Sequence, residues 1–143
     1  MLFKSLLTAM LVFPLVAAPT LAADKDNLQG IWLPTSAELG GQPFPEEVRK
    51  SIQLEIKDDG YTATVGGMVD RGTVKLNASA KPPQMDITGV EGPNKGKTIL
   101  AIYECQGDTL QVCYDLSGAA RPTEFKSAAN TLQFLVTYQR QKR

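Results

Sequence analysis

The stretch Leu28-Gln29-Gly30-Ile31-Trp32 carries the only tryptophan of the chain. A Gly-x-Trp at the beginning of a first strand is typical of a small closed β-barrel, because the glycine allows close backbone approach and the indole fills one barrel end. Near the C-terminus, Thr137-Tyr138-Gln139-Arg140 reads as a last strand, and we expect the Arg140 cation to lie over the indole face. We therefore assign Gly30, Trp32 and Arg140 to barrel closure. An ordinary core position for Trp32 is the alternative.

The first 22 residues have the pattern of a secretory signal peptide. Lys4 gives a cationic start, Ser5–Ala18 is an apolar run too short to span a bilayer, and small residues precede a cleavage site after Ala22. Cleavage after Ala23 and an uncleaved anchor helix are the alternatives. We expect the mature chain to be exported to the periplasm or outside the cell, with no membrane span after cleavage.

The composition of the mature chain, residues 23–143, restricts its chemistry. About 120 residues suit one domain with a modest core. The loss of Lys4 leaves 14 basic against 15 acidic residues, a balance that does not favour nucleic acid as a partner. Histidine is absent, which removes the commonest general base and metal ligand. We therefore predict no catalytic residue, no metal site and no cofactor.

The rest of the chain predicts an all-β fold of about eight short strands. The first strand covers Gly30–Leu39, and Glu46–Ser51 suits a short helix with acids in its first turn and bases in its last. Strict alternation in Ile52–Lys57 is typical of an antiparallel strand. Because Thr98–Cys105 is apolar on both faces, we expect it to be covered on both sides. The strand spacing favours an antiparallel up-and-down barrel with one short helix after the first strand, and a sandwich is the alternative.

The two cysteines flank a predicted hairpin turn at Gly107-Asp108. A two-residue turn pairs Cys105 with Leu110 and Ile102 with Cys113, so the two sulfur atoms point to opposite faces of the sheet. The two cysteines then cannot form a disulfide unless a β-bulge changes the register. We expect two free, largely buried thiols.

The long connection Asp115–Asn130 is a candidate lid over a barrel mouth. Its segment Arg121-Pro122-Thr123-Glu124-Phe125 combines a cation, an acid and an aromatic ring, and Arg121, Glu124 and Phe125 are the lid candidates. The alternative is that Arg121 and Glu124 satisfy backbone groups or one another while Phe125 caps the core, because half-buried charges are normally paired.

Three short motifs do not amount to a catalytic or metal site. Gly92–Thr98 lacks both the glycine spacing and the following helix of a phosphate-binding loop. Ser117-Gly118 lacks the glycine pattern and the histidine of a hydrolase. Asp58-Asp59 is explained as a turn without further calcium ligands.

Six stretches carry a resemblance to a known family. They are Leu28-Gln29-Gly30-x-Trp32, Glu91-Gly92-Pro93-Asn94-Lys95-Gly96-Lys97-Thr98, Ile102-Tyr103-Glu104, Gly107-Asp108-Thr109-Leu110, Cys113-Tyr114 and Arg121-Pro122-Thr123-Glu124-Phe125. Together they resemble a family of uncharacterised exported bacterial domains, abundant in planctomycetes, that are described as lipocalin-like. The resemblance covers essentially the whole mature chain and implies that residues 23–143 form a single lipocalin-like β-barrel domain. It implies no established activity.

An alternating apolar lining with few catalytic residue types favours a module that binds a small apolar or amphipathic molecule inside the barrel. Strand alternation predicts as lining residues Leu54, Ile56, Tyr61, Val65, Met85, Ile99, Tyr103, Leu110, Val112 and Phe134. Small barrels are also known to be filled by side chains. The alternative is therefore a packed barrel that acts through its surface, as an inhibitor or protein-interaction module at the cell envelope with an unknown partner. An enzyme working without histidine is a third hypothesis.

Overall fold

A computed structural model describes residues 21–142 and Pro14. The predicted signal peptide over 1–22 lies outside the described residues, except for Pro14 and for Leu21 and Ala22 at the start of the first helix. Among the described residues, neither helix has the length and apolar character that a bilayer crossing requires.

The described chain forms a closed antiparallel β-barrel. Its elements are α1 (Leu21–Leu28), β1 (Gly30–Leu39), β2 (Gln42–Pro43), α2 (Glu46–Lys50), β3 (Ile52–Lys57), β4 (Gly60–Val65), β5 (Met68–Asn77), β6 (Gln84–Glu91), β7 (Thr98–Gln106), β8 (Thr109–Asp115) and β9 (Gln133–Arg140). Eight strands neighbour one another in the order β1-β3-β4-β5-β6-β7-β8-β9, and β9 pairs back with β1. The two-residue strand β2 pairs only with the end of β1. The prediction of an all-β up-and-down barrel with a short helix after the first strand is confirmed.

Helix α1, which we did not predict, closes one end of the barrel. The Trp32 indole N–H donates a hydrogen bond to the Leu28 carbonyl oxygen at 2.8 Å, and both side chains are fully buried. The Tyr103 hydroxyl donates to the Asp24 carboxylate at 2.5 Å. Lys25 forms an ion pair with Asp59, in the turn between β3 and β4, at 3.0 Å. We call this end, where α1 meets the turns at 58–59 and 107–108, the closed end.

The hairpin of β7 and β8 has the predicted register. Cys105 pairs with Leu110 and Ile102 pairs with Cys113, and both cysteines are free. Ile102 and Cys113 lie on the outer face of the barrel, yet they are 1% and 0% exposed. The connection from β8 to β9 covers them, and the Cys113 thiol donates to the Lys126 carbonyl oxygen at 3.3 Å. This cover confirms the prediction for the middle of β7, where Ile102 is buried on the outer face, whereas the outward residues Thr98 and Glu104 are exposed.

Candidate functional site

The interior of the barrel holds a cavity of about 240 Å³. Three of its wall residues, Val65, Met68 and Leu116, are 45%, 61% and 38% exposed, so the cavity reaches the surface beside them. We call this end, opposite α1, the open end. Half of the remaining wall residues are inward apolar side chains of β3 to β7, namely Ile52, Leu54, Ile56, Ala63, Val74, Met85, Ile87 and Ile99.

The structure brings most of the predicted lining residues together at this cavity. Those in its wall are Leu54, Ile56, Tyr61, Val65, Met85, Ile99 and Phe134. Sequence reasoning missed Ile52, Ala63 and Ile87, although the alternation of β3, β4 and β6 places them on the same inner face.

Tyr103, Leu110 and Val112 do not line the cavity, which corrects the prediction for these three. They are inward and at most 1% exposed, in the packed part of the core that also contains Trp32 and Leu28. Alternation along a strand identifies which residues face the interior, but it does not show whether such a residue lies near the cavity or near the closed end. At the closed end, α1 and the indole fill the interior, so an inward residue there packs against protein.

A buried carboxylate stands in the cavity wall near the open end. Asp70 of β5 is 8% exposed. Its Oδ2 accepts hydrogen bonds from the Tyr61 hydroxyl at 2.7 Å and from the Asn94 side-chain amide at 3.0 Å. Its Oδ1 accepts one from the Asn94 backbone N–H at 3.0 Å. Burial, and then the neighbouring carboxylate, raise the pKa of Tyr61 far above its usual value, so this hydroxyl remains a donor.

Two glycines make the room for this arrangement. Gly72 lies at a bulge in β5, and a Cβ there would be 2.8 Å from the Tyr61 ring, so its missing side chain lets the ring pass. Gly92 has a φ of +96°, and a Cβ there would be 2.9 Å from the Asp70 Cα. Only glycine adopts such a turn readily at this distance, and the turn brings Asn94 onto the carboxylate.

Sequence reasoning missed Asp70 and Asn94. The sequence does carry a signal for Asp70. It is an even number of positions from the inward residues Val74 and Leu76 on the same strand, so alternation places it on the inner face. No comparable local signal exists for Asn94, which lies in the connection between β6 and β7 and is separated from Asp70 by 24 positions.

A second polar group in the wall is a pair of tyrosines. The hydroxyl oxygens of Tyr114 and Tyr138 are 2.9 Å apart, and both side chains are buried. Burial raises the pKa of Tyr138 to about 12 and that of Tyr114 well above its usual value. Both hydroxyls therefore keep their protons, and since one hydrogen joins the pair, the other remains to be donated.

The candidate lid residues lie away from the cavity. Arg121 donates to the carbonyl oxygens of Met85 at 3.2 Å and Ala101 at 2.9 Å, and it forms an ion pair with Asp86. Glu124 is exposed and Phe125 is half-buried, and neither is a wall residue. The lid prediction is thus corrected: the connection packs over the apolar outer faces of β7 and β8, as the alternative for Arg121 expects.

Within the part of the chain that the structure describes, the polar side chains in the cavity wall carry hydroxyl, carboxylate and amide groups. The two thiols are outside the cavity wall, and burial raises the pKa of each. No group of three His, Cys, Asp or Glu residues between 21 and 142 is placed to hold a metal ion. Comparison of the chain with protein-family models, curated proteins and solved structures gives no match.

Proposed function

We propose that the barrel binds a small amphipathic molecule in the cavity at its open end. The observation that carries this proposal is an apolar cavity that reaches the surface and has the Asp70 carboxylate and the Tyr114–Tyr138 pair in its wall. Sites for small molecules are typically concave and mostly apolar, with a few polar groups that orient the ligand.

The size of the cavity restricts the ligand. Its volume of about 240 Å³ lies below the range of roughly 300 to 1,000 Å³ typical for drug-sized ligands. An apolar cavity of about 150 Å³ is known to hold benzene. We therefore expect a single ring or a short chain with one polar end.

A titration of the ¹⁵N-labelled mature protein with 2-phenylethanol, followed by two-dimensional NMR, tests the proposal. We expect saturable shifts of amide signals around the cavity, for example at Ala63 and Ile87. Ala63→Leu fills the cavity and should abolish them. Thr64→Leu adds the same side chain on the same strand but faces away from the cavity, and should leave binding unchanged. Absence of saturable shifts, or equal binding by Ala63→Leu, would contradict the proposal.

The proposal includes export, as the pattern of residues 1–22 and the lipocalin-like resemblance suggest. Protein recovered from outside the cytoplasm of its own cells should begin at Ala23 or Asp24, as N-terminal mass spectrometry can determine. A chain that still begins at Met1 would contradict the cleavage.

A protein partner at the cell envelope is the second candidate. It is favoured by the apolar rim of the open end, where Val65, Met68 and Leu116 are exposed. The NMR titration separates the two candidates. Loss of 2-phenylethanol binding in Ala63→Leu supports the cavity, whereas no binding by the natural chain favours a role for the rim.

A further inference from the structure

We infer that the ligand carries a protonated amine and that Asp70 is its counter-charge. The inference rests on the proposed function and names the ligand class for the same cavity. Asp70 is 8% exposed and lies in the cavity wall. Among residues 21–142, no lysine or arginine lies within ion-pair distance of it; the described ion pairs involve other acids.

The hydrogen bonds to Asp70 orient its charge but do not neutralise it. Tyr61 and Asn94 are neutral donors, and together they donate three hydrogen bonds. A carboxylate accepts about four. Oδ2 accepts two and Oδ1 accepts one, so Oδ1 retains an acceptor position.

A buried charge without an opposite charge is unfavourable, and its Coulomb attraction to a cation is stronger in the protein interior than in water. An ammonium group supplies both the missing positive charge and an N–H donor for Oδ1. A ligand with a carboxylate is repelled at the same position, and an alcohol supplies a donor without the charge.

The carboxylate is held in place before any ligand arrives. Asn94 approaches it from the connection between β6 and β7, and the Tyr61 ring passes over Gly72 to reach it. Because two neighbouring elements fix Asp70, little ordering is needed on binding. With apolar side chains beside this carboxylate, the cavity suits a small amine with an apolar body.

Three probes of similar size test the charge of the ligand: 2-phenylethylamine, 2-phenylethanol and 3-phenylpropionate. We measure the dissociation constant of each by NMR titration near neutral pH, where the amine is protonated. The amine should bind about tenfold more tightly than the alcohol, because a charge-assisted hydrogen bond is the stronger one. The carboxylate should bind most weakly.

Asp70→Asn tests the assigned residue. Its affinity for the amine should fall about tenfold, to that of the alcohol, while alcohol binding is retained and shows that the variant is folded. Glu91→Gln is the matched control, because Glu91 is an exposed acid on the next strand that pairs with Arg71 at 3.5 Å. It should leave the affinity for the amine unchanged.

The outcomes distinguish this inference from the function on which it rests. If no probe binds, the proposed function is overturned. If alcohol and amine bind equally to the natural chain, the cavity binds ligands but the amine class is wrong. If the amine keeps its advantage in Asp70→Asn, the assignment of Asp70 is wrong. The probe series on the natural chain decides the amine class even if this variant does not fold.

Discussion

The guanidinium carbon of Arg140, at the end of β9, lies 4.3 Å from the centre of the Trp32 ring in β1. The two residues are opposite one another in the β1–β9 ladder, which is the seam that closes the barrel. Arg140 also donates to the carbonyl oxygens of Gln29 and of Asn27, the latter at 2.6 Å, and pairs with Asp108 at 3.0 Å. One side chain therefore joins α1, the β7–β8 turn and the seam.

Arg140→Ala should lower the free energy of unfolding by about 3 kcal/mol, because it removes a cation–π contact and charge-assisted hydrogen bonds. Urea unfolding measures this change. Arg140→Lys should recover only part of the loss, since an ammonium lacks the planar fork of donors. Lys142→Ala, an exposed control, should change stability by less than about 0.5 kcal/mol. If Arg140→Ala left the free energy of unfolding unchanged, this would contradict a stabilising role for Arg140 at the seam.

Gly72→Ala should destabilise the barrel by about 3 kcal/mol, because overpacking of a tightly packed position forces the backbone to move. A Cβ at this position would lie 1.9 Å from the Thr88 carbonyl oxygen and 2.8 Å from the Tyr61 ring. Gly60→Ala is the control, because its nearest contact would be an ordinary 3.4 Å. Equal midpoints for the two variants in urea would contradict the predicted clash.

Stability should fall from about pH 10 towards pH 12 as the tyrosines ionise. All four tyrosines of the chain are buried, and burial raises the pKa of each, to about 12 for Tyr138 and well above the usual value for the other three. The unfolded chain releases these protons near pH 10 while the folded chain keeps them. The stabilisation is therefore complete below about pH 10 and is lost as the pH rises towards the folded-state values.

Tyrosinate absorbance, followed together with near-ultraviolet circular dichroism, measures this transition. In the native protein the absorbance should rise only where the tertiary signal is lost. The urea-unfolded protein is the control and should titrate with a pKa of about 10. Ionisation of folded protein at about pH 10 would contradict the burial of the tyrosines.

The two thiols should remain unpaired and unequal in reactivity. Cys113 is fully buried and Cys105 is half-buried, and burial raises the pKa of both. Iodoacetamide should therefore modify Cys105 slowly and Cys113 only after unfolding, as peptide mass spectrometry can determine. Cys105→Ala should leave the native protein unreactive. An intact mass lower by two hydrogens would reveal a disulfide and contradict the hairpin register.

Local patterns were sufficient for the strand faces and the closure of the barrel. Period-two alternation identified the inner faces of β3 and β4, and a two-residue turn was enough to place Cys105 opposite Leu110. The expected position of Arg140 over Trp32 matches the observed contact across the β1–β9 seam. These features depend on the neighbours of a residue in its own strand or hairpin, or on the chain ends meeting in a closed sheet.

The position of the cavity along the barrel axis was not predictable from these local patterns. Tyr103, Leu110 and Val112 alternate correctly but lie where α1 fills the barrel, and we predicted no helix next to the cleavage site. The cover over β7 and β8 likewise comes from a connection that we considered a lid. Both depend on which segment packs against an apolar surface after the barrel has closed.

The sequence by itself determined the strand alternation, the hairpin register of the thiols and the class of fold, because these follow from covalent spacing and side-chain polarity. Only the tertiary structure decided which end stays open and where the polar groups of the cavity meet. Asp70 and Asn94 illustrate the reason: they are 24 positions apart, and their contact exists only because a glycine turn brings one strand connection onto another strand.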